Sequence, residues 1–125
     1  MAESLGVDFL GYVDLDKRNE LLRGALGLIL PSVTLEADPL VVSEALSAGT
    51  PCIVNSGTAS AALSSTSPSV IPYESGGELR VALERLLHED LKVSARWLYE
   101  ETWSAGAWTS RYMSLVEEVL RGKTV

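Results

Sequence analysis

Hydrophobic positions along this chain follow two rhythms, short unbroken runs and stretches where they recur every three or four residues, and the two alternate. Val7-Asp8-Phe9-Leu10, stopped by Gly11, is short and apolar and predicts a strand. From Asp14 onward, Leu15, Leu21, Leu22 and Ala25 fall at roughly helical intervals behind a first turn bearing carboxylates, which suit a helix amino terminus. Leu26-Gly27-Leu28-Ile29-Leu30 shows no alternation and ends at Pro31-Ser32, as expected of a strand buried on both faces. Leu40 to Ala48 is the best-punctuated helix: Asp38 is placed to cap it, Pro39 to take its first position, and Gly49 to end it before Thr50-Pro51. Pro51-Cys52-Ile53-Val54 and Val70-Ile71-Pro72-Tyr73 read as further strands, with the hydroxyl-rich residues 55–69 between them as a loop holding at most one helical turn. After Gly77, the residues Leu79, Ala82, Leu83, Leu86 and Leu87 form a helical stripe. Two more helical stretches follow at about 90–101 and 107–121, parted by Ser104-Ala105-Gly106.

Strands alternating with helices, without an internal repeat, predict an α/β fold: a three-layer Rossmann-like sandwich with helices on both faces of a parallel sheet of about four strands. At 125 residues a single α/β domain over 1–125 is expected, with residues 102–125 as a terminal helix region. Such a sheet is narrow for this architecture. The first residues also read as the end of a helix leading into a strand, so the chain is expected to be a piece of a larger protein.

Charge narrows the partners. Ten Lys and Arg against seventeen Asp and Glu give a formal net charge of −7, which argues against nucleic acid or an anionic membrane surface, since both require a basic footprint. Cys52 is the sole cysteine, excluding an internal disulfide and a cysteine-based zinc site and fitting a reducing compartment. No apolar run nears the ~20 residues of a transmembrane segment, and Met1-Ala2-Glu3-Ser4 lacks the profile of a signal peptide. A soluble, cytoplasmic domain is expected. Cys52 reads as an inert core residue. His88, the lone histidine, reads as a surface residue near a helix carboxyl end. Trp97, Trp103 and Trp108 read as packing residues of the terminal helices, some of them facing a partner domain.

In open parallel sheets, ligands lodge at the carboxyl ends of the strands. There the segment from Pro31 to Asp38 carries Glu36, and the helix after it carries Glu44 in its second turn. Two acids meeting at one crevice can grip sugar hydroxyls, because an ionised carboxylate accepts paired hydrogen bonds from a vicinal diol. The free N–H groups of Leu40, Val41 and Val42, at the positive end of the helix, could receive a phosphate. Spacing alone favours a plainer reading, in which both acids are solvated or cap a helix.

These residues belong to a longer pattern. Val7-Asp8-Phe9-Leu10-Gly11-Tyr12-Val13 is followed by Leu28-Ile29-Leu30-Pro31-Ser32, and then by Glu36-Ala37-Asp38-Pro39-Leu40-Val41-Val42-Ser43-Glu44-Ala45-Leu46-Ser47-Ala48-Gly49-Thr50-Pro51-Cys52-Ile53-Val54. Together they resemble the carboxyl-terminal nucleotide-sugar-binding domain of GT-B glycosyltransferases of the retaining, family-4 type, whose core reads E-x-F-G-(L/P)-x-x-x-E-A-x-A-x-G-x-P-V-I. Val70 to Tyr73, Glu78 to Leu87, and Trp103 with Tyr112 are similar to that family's next strand, next helix and closing S-W…Y pattern. The resemblance implies half of a GT-B fold, a nucleotide-diphosphate sugar as donor substrate, no cofactor and no metal, and transfer of a hexosyl group with retention. Carried over by position, Glu36 is the acid beside the donor sugar and the catalytic candidate, and Glu44 holds the ribose hydroxyls. Leu40 and Val41 would offer N–H groups to the donor phosphates, and Gly11 and Tyr12 would lie near the nucleobase.

The chain departs from this pattern in several places. Asp38 and Pro39 stand where the family has an aromatic residue and a glycine, and Asn55-Ser56-Gly57 where it often has a glycine pair and another Glu. Residues 24–79 hold Glu36, Asp38, Glu44, Glu74 and Glu78 but no Lys or Arg, so a diphosphate is expected to meet acids and no local cation. The family's phosphate-gripping Arg/Lys pair and its acceptor-binding amino-terminal domain belong to segments before this one. The chain is therefore expected to be a donor-binding domain that is silent in isolation. The alternative is a non-catalytic α/β interaction module whose donor site has decayed.

Overall fold

In the computed structural model, which describes residues 5–34 and 39–122, the apolar runs from Leu28 onward form strands and the three-to-four periodicities form helices. In chain order these are α1 (Leu15–Gly24), β1 (Leu28–Leu30), α2 (Leu40–Ser47), β2 (Cys52–Asn55), a 3-10 helix (Ala59–Ser65), β3 (Val70–Tyr73), α3 (Gly76–His88), α4 (Lys92–Thr102) and α5 (Ala105–Leu120). The three strands pair in parallel in the order β1-β2-β3, with Ile29 beside Ile53 and Ile53 beside Ile71.

Side chains alternate across a strand, so β2 must serve two layers at once. Cys52 and Val54 point with Val70 into one core, and Ile53 points with Ile71 into the other. Cys52, Ile53 and Val54 are fully buried, which is why this run carries no polar alternation. On the first face, Leu22 of α1, Val42, Ala45 and Leu46 of α2, and Ala95 and Leu98 of α4 close the core. On the second, α3 contributes Ala82, and Leu91 follows from the α3–α4 turn. The result is the expected three-layer α/β sandwich. Ala45 and Ala95 are both fully buried, and side chains this small let α2 and α4 approach closely. Burying larger side chains such as Leu46, Ile53 and Leu98 contributes about 1.5–3 kcal/mol each.

Local chemistry sets the boundaries. Asp14 caps α1 by accepting from the Lys17 N–H at 2.8 Å. Ser75 caps α3 through the Glu78 N–H at 3.2 Å, and Glu78 reaches back to the Glu74 N–H at 2.7 Å. The Thr50 hydroxyl donates to the Leu22 carbonyl at 2.5 Å, tying α1 to the turn between α2 and β2.

Four expectations need correction. β1 is not buried on both faces, since Ile29 is 41% exposed. Val7–Leu10 is not a strand: it pairs with nothing among the described residues and Phe9 is 91% exposed, so the described sheet has three strands. A strand without a neighbour leaves its N–H and C=O groups to water and gains no ladder. Residues 55–69 are more regular than a loop, because the hydroxyls of Thr58, Ser64 and Ser65 donate to backbone carbonyls three residues back, at 2.7, 2.7 and 2.8 Å. Of the tryptophans, Trp103 packs against the first core, whereas Trp97 and Trp108 are exposed, Trp108 lying stacked on Tyr112 with ring centroids 5.3 Å apart. His88 ends α3 and is exposed, as expected. No helix among the described residues is long and apolar enough to cross a membrane.

Gly49 ends α2 with φ +76°, a conformation that costs other residues roughly 1–2 kcal/mol. Gly49→Ala should therefore lower unfolding free energy by about that amount, whereas Gly24→Ala, with open space and no left-handed backbone, should leave it equal or raised. Urea titrations with matched slopes decide this. Burial pushes the Cys52 thiol up to about 12 from an ordinary value of 9.0. The native chain should thus resist a thiol reagent at mildly alkaline pH, and the urea-unfolded chain should react once. Because the thiolate forms first in the unfolded chain, this group's stabilisation is complete below pH 9.0 and is lost as pH rises toward about 12.

Candidate functional site

The helix α2 positions the candidate residues, because it leaves the carboxyl end of β1 and packs back on the sheet through Val42, Ala45 and Leu46. Two of the acids noted in the sequence, Glu36 and Asp38, lie outside the described residues. The helix begins one residue later than predicted. Pro39, at φ −68° and ψ 115°, is still extended and takes the cap position, and its ring has no oxygen with which to cap. The carbonyl of Pro39 accepts from the Val42 N–H at 3.0 Å, so of the three N–H groups expected to be free, Val42 is already engaged. Those of Leu40 and Val41 have no hydrogen-bond partner among the described residues. They form the positive end of the helix.

Glu44 sits one turn below them. Its side chain is 29% exposed, and Oε1 accepts from Arg18 Nη2 at 2.8 Å. The sequence reading does not foresee this contact: α1 lies beside α2 and delivers Arg18 to an acid 26 positions away. A search for basic residues near Glu44 in the sequence misses it, since only the packing of two helices brings the pair together. The guanidinium is committed, with Nη2 on the carboxylate and Nε buried without a partner. The pair is half-exposed, so its worth to folding is at most about 1 kcal/mol. Its geometric effect is larger. One carboxylate oxygen is fixed while Oε2 stays open to a ligand hydroxyl.

Other candidates are placed as follows. Gly11, at φ +63°, and Tyr12 lie on the exposed segment that leads into α1, with the Tyr12 side chain almost wholly in solvent. Glu74 and Glu78 belong to the capped start of α3. At the exit of β2, Asn55 Oδ1 accepts from the Gly57 N–H at 2.9 Å and the Ser56 hydroxyl donates to the Tyr73 carbonyl at 3.0 Å, so this turn is closed on itself. Among the described residues, no three His, Cys, Asp or Glu side chains are grouped to hold a metal ion.

The arrangement at α2 offers two open amides, a helix dipole and a fixed carboxylate, a set able to bind a phosphate-bearing polyol. The chain was compared with known families, curated proteins and solved structures. The profile of the glycosyl transferases group 1 matches residues 3–97, a span that takes in the whole sheet, α1 to α3 and α4 as far as Trp97. No curated protein and no solved structure matches the chain. With the profile covering the sheet and the candidate helix alike, the chain belongs to the group 1 glycosyltransferase family.

Proposed function

We propose that this chain is the nucleotide-sugar-binding half of a retaining glycosyltransferase of the GT-B, family-4 type, working in the cytoplasm and transferring a hexosyl group. The family match over residues 3–97 carries this reading, because it includes α2 with Glu44 on its second turn. In this proposal the Glu44 carboxylate accepts hydrogen bonds from the ribose diol of the donor. The Leu40 and Val41 amides face the donor phosphates, Gly11 and Tyr12 lie beside the base, and Glu36 steadies the donor sugar. Charge developing on the leaving phosphate would be met by those amides and by cations from elsewhere in the enzyme, so the domain's part is positioning and electrostatics. The donor is a substrate, and the proposal includes no cofactor, metal or nucleic acid.

Two structural facts support a larger assembly. The outer edge of β1 has no strand partner among the described residues, and Ile29, on its second face, is 41% exposed. Beside it Leu26, Leu83 and Leu87 leave an apolar groove of about 430 Å³. A sheet continued past β1, carrying the phosphate-gripping cations and joined to an acceptor-binding amino-terminal domain, would cover this surface. The isolated chain is accordingly proposed to be catalytically silent. Arg18 does not replace the missing cations, since its contact is with Glu44.

Titration of the isotope-labelled chain with uridine, guanosine and adenosine diphosphate sugars, followed by NMR, tests the reading. At least one donor should shift the amides of Leu40, Val41 and Glu44, with a dissociation constant of about 1 mM or weaker. Micromolar affinity would overturn the half-site proposal, and shifts confined elsewhere would favour the interaction module. Glu44→Ala should weaken the responsive donor about tenfold or more, as expected for loss of charge-assisted hydrogen bonds. Arg18→Ala should weaken it less, through a carboxylate no longer held, while changing stability by no more than about 1 kcal/mol.

A further inference from the structure

We propose a second ligand site, separate from the donor site, at the far end of α2: a cleft that takes a small oxyanion, phosphate or carboxylate. A hollow of about 590 Å³ lies where α1, the end of α2 and α4 meet, lined among others by Asn19, Arg23, Ser47, Gly49, Arg96 and Tyr99. The eight residues of α2 span about 12 Å, so this end is a full helix length from the open amides of Leu40 and Val41.

Charge distribution singles out the cleft. The described cations mostly pair with an acid one turn away, as in Arg80–Glu84, Arg85–Glu89 and Arg121–Glu117. Arg23 and Lys92 alone among them have neither a carboxylate nor a carbonyl for their charged groups. Arg23, in the last turn of α1, lines this hollow, and none of the lining side chains is acidic. In a chain of net charge −7 this makes an isolated positive concavity.

The opposite wall is pre-set. Arg96 donates to the Ser47 carbonyl, pairs with Glu100, and lies over the Tyr99 ring with 5.4 Å from guanidinium carbon to centroid. Capping the carboxyl end of α2 accounts for Arg96 being there, and a dipole preference accounts for an arginine late in α1. Neither accounts for Arg23 and Arg96 lining one cleft. Because Glu100 offsets Arg96, the net positive charge comes from Arg23. Guanidinium forks match the paired oxygens of a carboxylate or phosphate. The Asn19 amide and Tyr99 hydroxyl add neutral donors of the right kind.

The test is an NMR titration of the whole labelled chain with sodium phosphate and, separately, sodium acetate, each against sodium chloride at equal ionic strength. Phosphate or acetate should give saturable shifts at the Asn19 side-chain amide and the Gly49 N–H that chloride does not give, and the tighter of the two names the ligand class. Arg23→Gln should weaken that binding about tenfold or more, Arg23→Lys should retain much of it, and the exposed control Arg80→Gln should titrate like the parent. Glu44→Ala should leave the cleft resonances unaffected, which separates this site from the donor site. Chloride reproducing the shifts, or Arg23→Gln titrating like the parent, would overturn the proposal.

Discussion

The burial of β2 on both faces is the constraint that the remaining structure satisfies. Three successive residues, Cys52, Ile53 and Val54, have no access to water, and their side chains leave the strand in opposite directions. One helical layer cannot cover both. The helices α1, α2 and α4 must therefore gather on one side and α3 on the other, and parallel pairing is made possible by two crossovers, α2 between β1 and β2 and the 3-10 helix between β2 and β3. The 3-10 helix and the hydroxyl contacts of Ser67 and Ser69, 2.8 Å apart and buried, fill the remaining approach to β3.

The candidate site inherits its geometry from this layering. Because α2 is pinned by Val42, Ala45 and Leu46, its amino end is held above the sheet and Glu44 is turned toward the flank, where α1 supplies Arg18. The two ends of one short helix thus have different characters. One presents amides that have no partner among the described residues. At the other, carbonyls are met by Arg96 and a glycine turn. The donor-binding proposal uses the first end and leaves the second without a role.

Much of this was legible in the sequence because each feature is local. The double-faced burial of β2 shows as an apolar run, α3 as a stripe beginning at Leu79, and the end of α2 as Gly49 before a proline. What escaped depends on partners that composition does not name. Val7–Leu10 has the composition of a strand, but composition does not supply a neighbour. Arg18 is unremarkable on its own helix and matters only because of Glu44. The serines of residues 55–69 look like loop formers until their hydroxyls are seen to bond the carbonyls of a tight helix. Trp97 and Trp108 have the size of core residues and lie on faces that the described residues leave uncovered.

A proline at the head of α2 has a consequence of its own. A helix that begins on serine or aspartate carries its first acceptor with it, whereas this one starts on a ring without an oxygen. Whatever anion reaches the exposed amides therefore also completes the segment. Stability of that helix end and occupancy would then be thermodynamically linked, each raising the other by the same factor.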